Sequence, residues 1–259
     1  MDSLQVIKIG GNVIDDVVKL DAFLNRFAKL KGAKILIHGG GKLATSLARD
    51  LNIEQQIIDG RRITDAETLK ITAMVYAGLI NKTIVAKLQS KSCNAIGLSG
   101  VDGNSILSKK RVHASIDYGW VGDVESINAG FLQDLMDKGI VPVICPITHD
   151  GKGNLLNTNA DTIATEVAMV LSENNEVNLR FCFEKLGVLT NPELDASWLR
   201  NLDKEEYESL KEQQIISKGM LPKLENAFRA KKSKIARVEI CHADYANEQG
   251  ESFIGTQII

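Results

Sequence analysis

The sequence predicts an α/β protein built on a largely parallel sheet with helices on both faces. Three observations point there. Short β-branched runs ending in glycine or polar residues alternate with helix-patterned stretches along all 259 residues. Several of those runs are apolar without interruption, as strands buried on both faces must be. Only four prolines are present, with no low-complexity tract and no internal repeat, which argues against a long linker.

In chain order, residues 5–9 (QVIKI) and 34–39 (KILIHG) read as strands bounded by turn residues. A helix is expected over 42–51. A longer one follows Thr64-Asp65-Ala66-Glu67, a capping-box sequence. Behind it Leu69, Ala73, Tyr76, Ile80, Ile84 and Leu88 recur at spacings of three or four and should share one face. Residues 94–99 (NAIGLS) form the next strand. Residues 103–127 look different and suggest short antiparallel strands inserted at one end. Helices are expected over 128–138, 161–171, 203–213 and 219–231. Strands are expected at 140–147 (IVPVICPI), 177–183 (VNLRFCF) and 237–242 (RVEICH).

Composition narrows the function. Thirty-one basic and 33 acidic residues give a net charge of −2, which excludes a bulk basic character for gripping nucleic acid or an anionic membrane. No uninterrupted apolar run approaches bilayer length, and the N-terminus has no basic region of a secretory signal. The expected location is cytoplasmic. Cys93, Cys145, Cys182 and Cys241 form no CxxC pair, and the four histidines are scattered, so no metal-ligating cluster is expected. Buried thiols in a reducing compartment fit better.

In open parallel sheets ligands bind at the carboxyl ends of strands, and four segments there are unusual. Lys8 interrupts an apolar strand just before Gly10 and Gly11. It is either a solvated edge lysine or a cation held over a glycine turn that can approach an anion. His38-Gly39-Gly40-Gly41-Lys42 joins a strand to a helix, with more glycine than a tight turn needs. It is not a Walker A loop, but Gly39, Gly41 and Ala44 fit GxGxxA, with Asp59 twenty residues after Gly39. An NAD-type dehydrogenase is therefore an alternative. Asn157-Thr158-Asn159-Ala160-Asp161 places more polar groups at a helix start than a cap requires. Lys223 falls in the first turn of a helix, where the macrodipole disfavours a cation unless an anion binds there.

Taken together and in this order, KIGG, HGGG, DGRRITD, NTNAD and SKGMLPKLENA resemble the amino acid kinase family, and within it the acetylglutamate kinases, over essentially the whole chain. The resemblance implies a three-layer αβα sandwich. Residues 1–172 would form an N-terminal lobe for acylglutamate binding and dimerisation, and 173–259 a C-terminal lobe for ATP. It implies phosphorylation of the γ-carboxylate of N-acetyl-L-glutamate, the second step of arginine synthesis. Lys8 and Lys223 would stabilise the transition state and Asp161 would orient them. Gly10 and Gly11 would form a phosphate loop. Gly40, Gly41, Arg62 and Asn157 would bind the substrate, with Arg62 on its α-carboxylate. The nucleotide would lie along Glu184, Lys185, Leu186, Gly187, Val188 and Leu189, and along Ile215, Ile216 and Ser217. ATP would be the co-substrate, with Mg²⁺ held mainly by its phosphates.

The chain departs from that family's usual pattern at Glu184 and Lys185, and also at Arg61 and Lys42, which add positive charge beside the acylglutamate pocket. If they point inward, N-succinyl-L-glutamate becomes an alternative substrate, because its second carboxylate could pair with a guanidinium. A catalytically silent sensor on the same fold is a further alternative. Arginine-inhibited relatives carry an extra N-terminal helix, whereas only Met1–Leu4 precede the first strand of this chain. A homodimer with little arginine inhibition is expected.

Overall fold

The computed structural model describes residues 3–58, 61–191, 193–216, 220–246 and 253–259. Asp59 and Ser217, both singled out from the sequence, lie outside these residues. An eight-stranded sheet forms the middle layer. Its strands are β1 (Leu4–Ile9), β2 (Lys34–His38), β5 (Ala95–Leu98), β8 (Val141–Ile144), β11 (Val177–Phe183), β12 (Asn201–Leu202), β13 (Arg237–His242) and β14 (Thr256–Ile258), in the spatial order β12-β14-β13-β11-β1-β2-β8-β5. Every pairing is parallel except β13 with β14. β1 is central, with β2 on one edge and β11 on the other. Strands from the N-terminal two thirds lie on the β2 side, and later ones on the β11 side.

Side chains alternate across a strand, so β1 feeds both cores. Leu4 and Val6 enter a cluster with α6 (Ala160–Leu171) and α8 (Leu221–Lys231). Ile7 and Ile9 enter a second cluster with α2 (Val17–Lys29), α3 (Gly41–Asp50) and α4 (Ala66–Gln89). Lys8 is the last side chain on the first of these faces. Shorter helices α1 (Gly11–Ile14), α5 (Ala129–Asp137) and α7 (Lys204–Glu212) complete the layers. The expected αβα sandwich is thus present.

Three local expectations need correction. First, α2 was not expected, although Asp16 caps it and Leu20, Phe23, Leu24 and Phe27 are buried at helical spacing. Second, the buried face of α4 is Thr68, Ile71, Thr72, Val75, Tyr76, Ile80, Asn81, Ile84 and Leu88, so Leu69 and Ala73 are off it. Met74–Ile80 is wound as a π-helix, and its wider turn inserts one residue into the α-helical phase. Third, the helix cap is Asp65, whose carboxylate accepts from Thr68 N at 2.7 Å. Thr64 instead donates to Arg62 O at 2.9 Å. By length and composition α4 could cross a membrane, but one of its faces is packed against the sheet.

The expected 140–147 strand breaks at Pro146. β9 (Ile147–His149) leaves the main sheet and closes a four-stranded barrel with β6 (Ile106–Lys110), β7 (Val121–Ile127) and β10 (Leu155–Thr158). The antiparallel β6–β7 pair is the insertion read from residues 103–127. β3 (Ile57–Ile58) and β4 (Arg61–Arg62) pair antiparallel as a separate two-stranded sheet. Cys93, Cys145, Cys182 and Cys241 are free and buried.

Candidate active site

The site sits where β1, β2 and β10 end and α3 and α6 begin. The chain reverses after Ile9 through Gly10 and Gly11, and after His38 through Gly39 and Gly40. The two turns are adjacent because β1 and β2 are paired. Gly40 has φ of +151°, and a Cβ there would stand 2.2 Å from the Ile80 side chain and 3.1 Å from Tyr76. Only glycine fits. A cavity of about 270 Å³ opens over these turns. Lys8, Gly11, Gly40, Gly41, Arg62, Asn157 and Asp161 all line it, as do Arg61, Tyr76 and Asn159. Gly10 does not. It donates its N–H to Cys182 O at 3.2 Å, which ties the turn to β11 and leaves Gly11 as the glycine of that pair facing the cavity.

Asp161 lies in the first turn of α6, which Asn159 caps by accepting from Thr162 N at 3.0 Å. A carboxylate suits the positive end of the helix. Its Oδ1 is 2.7 Å from Lys8 Nζ and 3.2 Å from Lys223 Nζ. All three residues are buried. Lys223 reaches the pair from the start of α8, where Pro222 occupies the opening turn. Its ammonium is also 6.0 Å from the ring centroids of both Phe181 and Phe183. Two cations and one anion leave a net charge of +1, next to the positive ends of two helices. Such a cluster is prepared for an anion.

Protonation follows from this packing. Burial pulls the Lys8 ammonium down to about 8, with Asp161 opposing that shift and Lys223 adding to it. Burial also penalises the Asp161 carboxylate, but the charges of Lys223 and Lys8 outweigh it and hold the group well below the usual carboxylate range.

Arg62 is buried and fixed by three bonds. Its Nη2 donates to Gly41 O and to Thr45 Oγ1, both at 2.9 Å, and its Nη1 donates to Gln55 Oε1. Asn157 donates to Thr64 Oγ1 at 3.0 Å. Arg62 and Asn157 are therefore joined through Thr64, which the sequence had suggested only as a helix cap. Arg61 also lines the cavity and is partly buried. Nearby Arg111 pairs with Asp123 and Arg229 with Glu166, but among the described residues no carboxylate bonds Arg61. Lys42 is exposed on α3 and outside the cavity lining, so the inward position considered for it is not the one found.

A second cavity, of about 200 Å³ and mainly apolar, lies at the end of β11. Lys185, Gly187, Val188, Leu189, Ile215 and Ile216 line it, together with Phe183 and Met220, which sequence reasoning missed. Glu184 is exposed and Leu186 partly so, and neither lines it. Lys185 is paired with Asp195 at 2.7 Å. Phe183 lines the second cavity, and its ring centroid is 6.0 Å from the Lys223 ammonium that pairs with Asp161 in the wall of the first. Among the described residues no cluster of His, Cys, Asp and Glu could hold a metal ion.

Comparison with known proteins agrees with this geometry. The model of the amino acid kinase family matches residues 3–242. An acetylglutamate kinase from Cytophaga hutchinsonii is 51% identical over all of this chain and 99% of its own. One from Phocaeicola vulgatus is 51% identical over 95% of this chain and 96% of its own. Among solved structures, N-acetylglutamate synthase from Neisseria gonorrhoeae, complexed with coenzyme A and N-acetyl-glutamate, superimposes with a TM-score of 0.83. It shares 21% identity over 99% of this chain and 59% of that one. Carbamate kinase from Giardia lamblia, bound to AMP-PNP, superimposes at 0.69 with 15% identity over 99% of this chain and 98% of that one. These structures share the fold, and the sequence relatives share the family. The glycines of the dehydrogenase alternative, Gly39 and Gly41, accordingly belong to a kinase loop, and the chain belongs to the amino acid kinase family, grouping with its acetylglutamate kinases.

Proposed function

We propose that this protein transfers the γ-phosphoryl group of ATP to the γ-carboxylate of N-acetyl-L-glutamate, giving N-acetyl-L-glutamyl 5-phosphate. This is the second step of arginine biosynthesis. The observation that carries the reading is the Lys8–Asp161–Lys223 array, placed between a cavity holding Arg62 and Asn157 and an apolar cavity of a size suited to a base. Arg62 is the cation for the substrate α-carboxylate; both of its Nη2 hydrogens are held by Gly41 O and Thr45 Oγ1, so a two-bonded grip requires the carboxylate to displace one of these bonds. Asn157 holds the acylamide side. The adenine lies along Val188, Leu189, Ile215 and Ile216, with the phosphates directed toward Lys223 and Lys8. A cytoplasmic homodimer joined through the N-terminal lobe is part of this reading. Met74 and Leu79, more than half exposed on α4, are suitable contact residues.

The chemistry needs no general base. A glutamate γ-carboxyl with an ordinary pKa of about 4.3 is already ionised at neutral pH. The obstacle is to bring one anion against another and to stabilise charge on the transferring oxygens. Lys8 and Lys223 supply two fixed positive charges, and the amides of the glycine turns supply further donors. Asp161 keeps the ammonium groups apart and oriented. Its oxygens face those two lysines, so the residues present suit Mg²⁺ carried on ATP phosphate oxygens rather than a protein cage. Bound there, Mg²⁺ neutralises part of the phosphate charge.

The pH dependence follows from Lys8. Its ammonium is charged below about 8 and loses charge as the pH rises through that value. We expect kcat/KM, which reports the free enzyme, to fall above about pH 8. In the ternary complex the phosphates favour the ammonium, so the alkaline limb of kcat should lie at higher pH. Initial rates between pH 6 and 10 check this. A kcat/KM flat to pH 10 would mean that the reaction does not depend on the Lys8 charge.

The test of the function is an assay coupled to ADP release with N-acetyl-, N-succinyl- and free L-glutamate. ADP release that depends on an acylglutamate is expected, with little from free glutamate. No acyl-dependent release at all would favour a silent sensor. Arg61 supports a second reading within the same chemistry, because its guanidinium stands in the cavity wall and no carboxylate among the described residues pairs with it. A charge-assisted bond to a succinyl carboxylate contributes about 1.5–3 kcal/mol, roughly ten- to a hundredfold in affinity. The second reading expects a wild-type preference for the succinyl compound that Arg61→Leu removes. If wild type prefers the acetyl compound and the ratio is unchanged in the variant, that reading fails and Arg61 is only part of the wall.

A further inference from the structure

The HGGG segment contains one residue to which the proposed chemistry gives no task. His38, the last residue of β2, is fully buried. Its Nδ1 lies 2.8 Å from Gly39 O, and its Nε2 lies 3.1 Å from Asn81 Nδ2. Asn81 Nδ2 also donates to Val143 O at 2.9 Å. The orientation of the Asn81 amide follows from its neighbours. Val143 O can only accept, and Lys82 Nζ, 3.3 Å from Asn81 Oδ1, can only donate. A flipped amide would set two oxygens against each other and two nitrogens against each other. Asn81 therefore offers N–H to His38 Nε2, which must be the bare ring nitrogen. The imidazole proton is then on Nδ1, where it binds the Gly39 carbonyl.

Two further features are built around this arrangement. Asn81 directly follows the π-wound turn of α4. In uniform α-helix, residues 76 and 81 would be separated by about 140° around the axis, yet Tyr76 and Asn81 are both buried against the sheet, as the i→i+5 turn allows. Gly97 on β5 leaves room for the amide, since a Cβ there would stand 1.9 Å from Asn81 Oδ1. Meanwhile, among the described residues no protein group accepts from the N–H of Gly40 or of Gly41. Both residues line the cavity.

We propose that His38 is a positioning residue for the phosphoryl-transfer site: held by Asn81 as the neutral Nδ1–H tautomer, it fixes the Gly39 carbonyl and so keeps the Gly40 and Gly41 amides free for the ligand. The inference rests on the kinase reading for what those amides bind, but not for the tautomer. Burial supports it, because it pulls the His38 pKa down to about 4, with Lys82 adding to the shift against the Gly39 bond. The ring then stays neutral across the working range.

The test has two arms. In protein labelled with ¹⁵N-histidine, long-range ¹H–¹⁵N spectra assign the tautomer of His38, identified by its loss in His38→Asn. The Nδ1–H form is expected, and an Nε2–H form overturns the proposal whether or not the protein is a kinase. In the ADP-release assay, His38→Leu removes the donor, and His38→Asn restores an N–H near the Nδ1 position. We expect His38→Leu to lower kcat at least tenfold with KM for acylglutamate changed less than threefold, and His38→Asn to recover most of the loss. Asn81→Ala should lower kcat by a smaller factor that is not additive with His38→Leu. Equal losses in His38→Leu and His38→Asn, or full additivity, would overturn the positioning role. Should His38→Leu not fold, the wild-type spectrum and Asn81→Ala still decide. If wild-type protein shows the Nδ1–H form but no acylglutamate-dependent ADP release, the functional reading fails and the tautomer stands.

Discussion

Replacing Lys8 by methionine is expected to lower kcat by about 10²-fold or more while leaving KM for acylglutamate little changed. The argument is one of timing. In the proposed reaction Arg62 and Asn157 would hold the substrate beforehand, whereas the Lys8 charge would be needed most when charge spreads over the transferring oxygens. Lys223 should behave in the same way, from the nucleotide side. Stability should move in the opposite direction from activity. Lys8 is a buried cation whose charged form is disfavoured by its surroundings, and without it Asp161 and Lys223 remain as a balanced pair. Removing one partner of a buried pair is costly when it strands the other charge, but here Asp161 keeps Lys223 as its partner. A variant that melts no lower than wild type and has lost catalysis separates the two contributions. Near-normal kcat in Lys8→Met or Lys223→Met would show that the transition state does not use these charges.

Asp161→Asn should damage both properties. The shape is kept, but two ammonium groups that shared one carboxylate are left facing each other in a buried site. Breaking a buried charge network by removing one partner costs about 3–5 kcal/mol, a fall in Tm of roughly 10 °C for a chain of this size. The sign with pH can be worked out. In wild type the depressed carboxyl pKa stabilises the fold above the ordinary carboxyl value near 4 and is lost as the pH falls toward the folded value. In the variant the penalty comes from the protonated lysines; without the carboxylate that raises its pKa, Lys8 deprotonates below the wild-type value near 8, so the deficit is largest on the acid side of neutrality and shrinks as the pH rises toward 8. Melting curves at pH 6 and 9 test this, with kcat expected to be at least 10²-fold lower at both. A Tm deficit equal at the two pH values would mean that the charge pairing is not its source.

Lys8 and Lys223 were legible in the sequence because each breaks a local rule. One is a lysine inside an apolar strand, and the other is a cation at the positive end of a helix. Function shows where side chains are placed against their own element. Arg62, Asn157 and the glycine turns were recoverable because their segments match a family pattern over the whole chain. What escaped was what depends on a distant partner. Asn81 looks like an ordinary helix residue, and only β2 and β8 reveal its use. Phe183 and Met220 read as plain core residues until the second cavity brings them together. The slip at Leu69 and Ala73 has one cause: a helix wheel assumes constant winding, and the π-turn at Met74–Ile80 shifts everything before it by one residue. Gly10 looked equivalent to Gly11, but its amide is already taken by Cys182.

The central position of β1 has a consequence for biosynthesis. A chain emerges from the ribosome N-terminus first, so β1 can pair with β2 almost at once. Its other neighbour, β11, is not made until about two thirds of the protein has been translated. Throughout that interval one side of β1 presents unpaired backbone and the apolar side chains of Val6, Ile7 and Ile9, a template on which another nascent chain could dock. A lysine among them is the kind of residue that discourages such pairing. The charge that the proposed reaction assigns to Lys8 is thus also a charge that would discourage such pairing in the unfinished chain, before β11 pairs with β1.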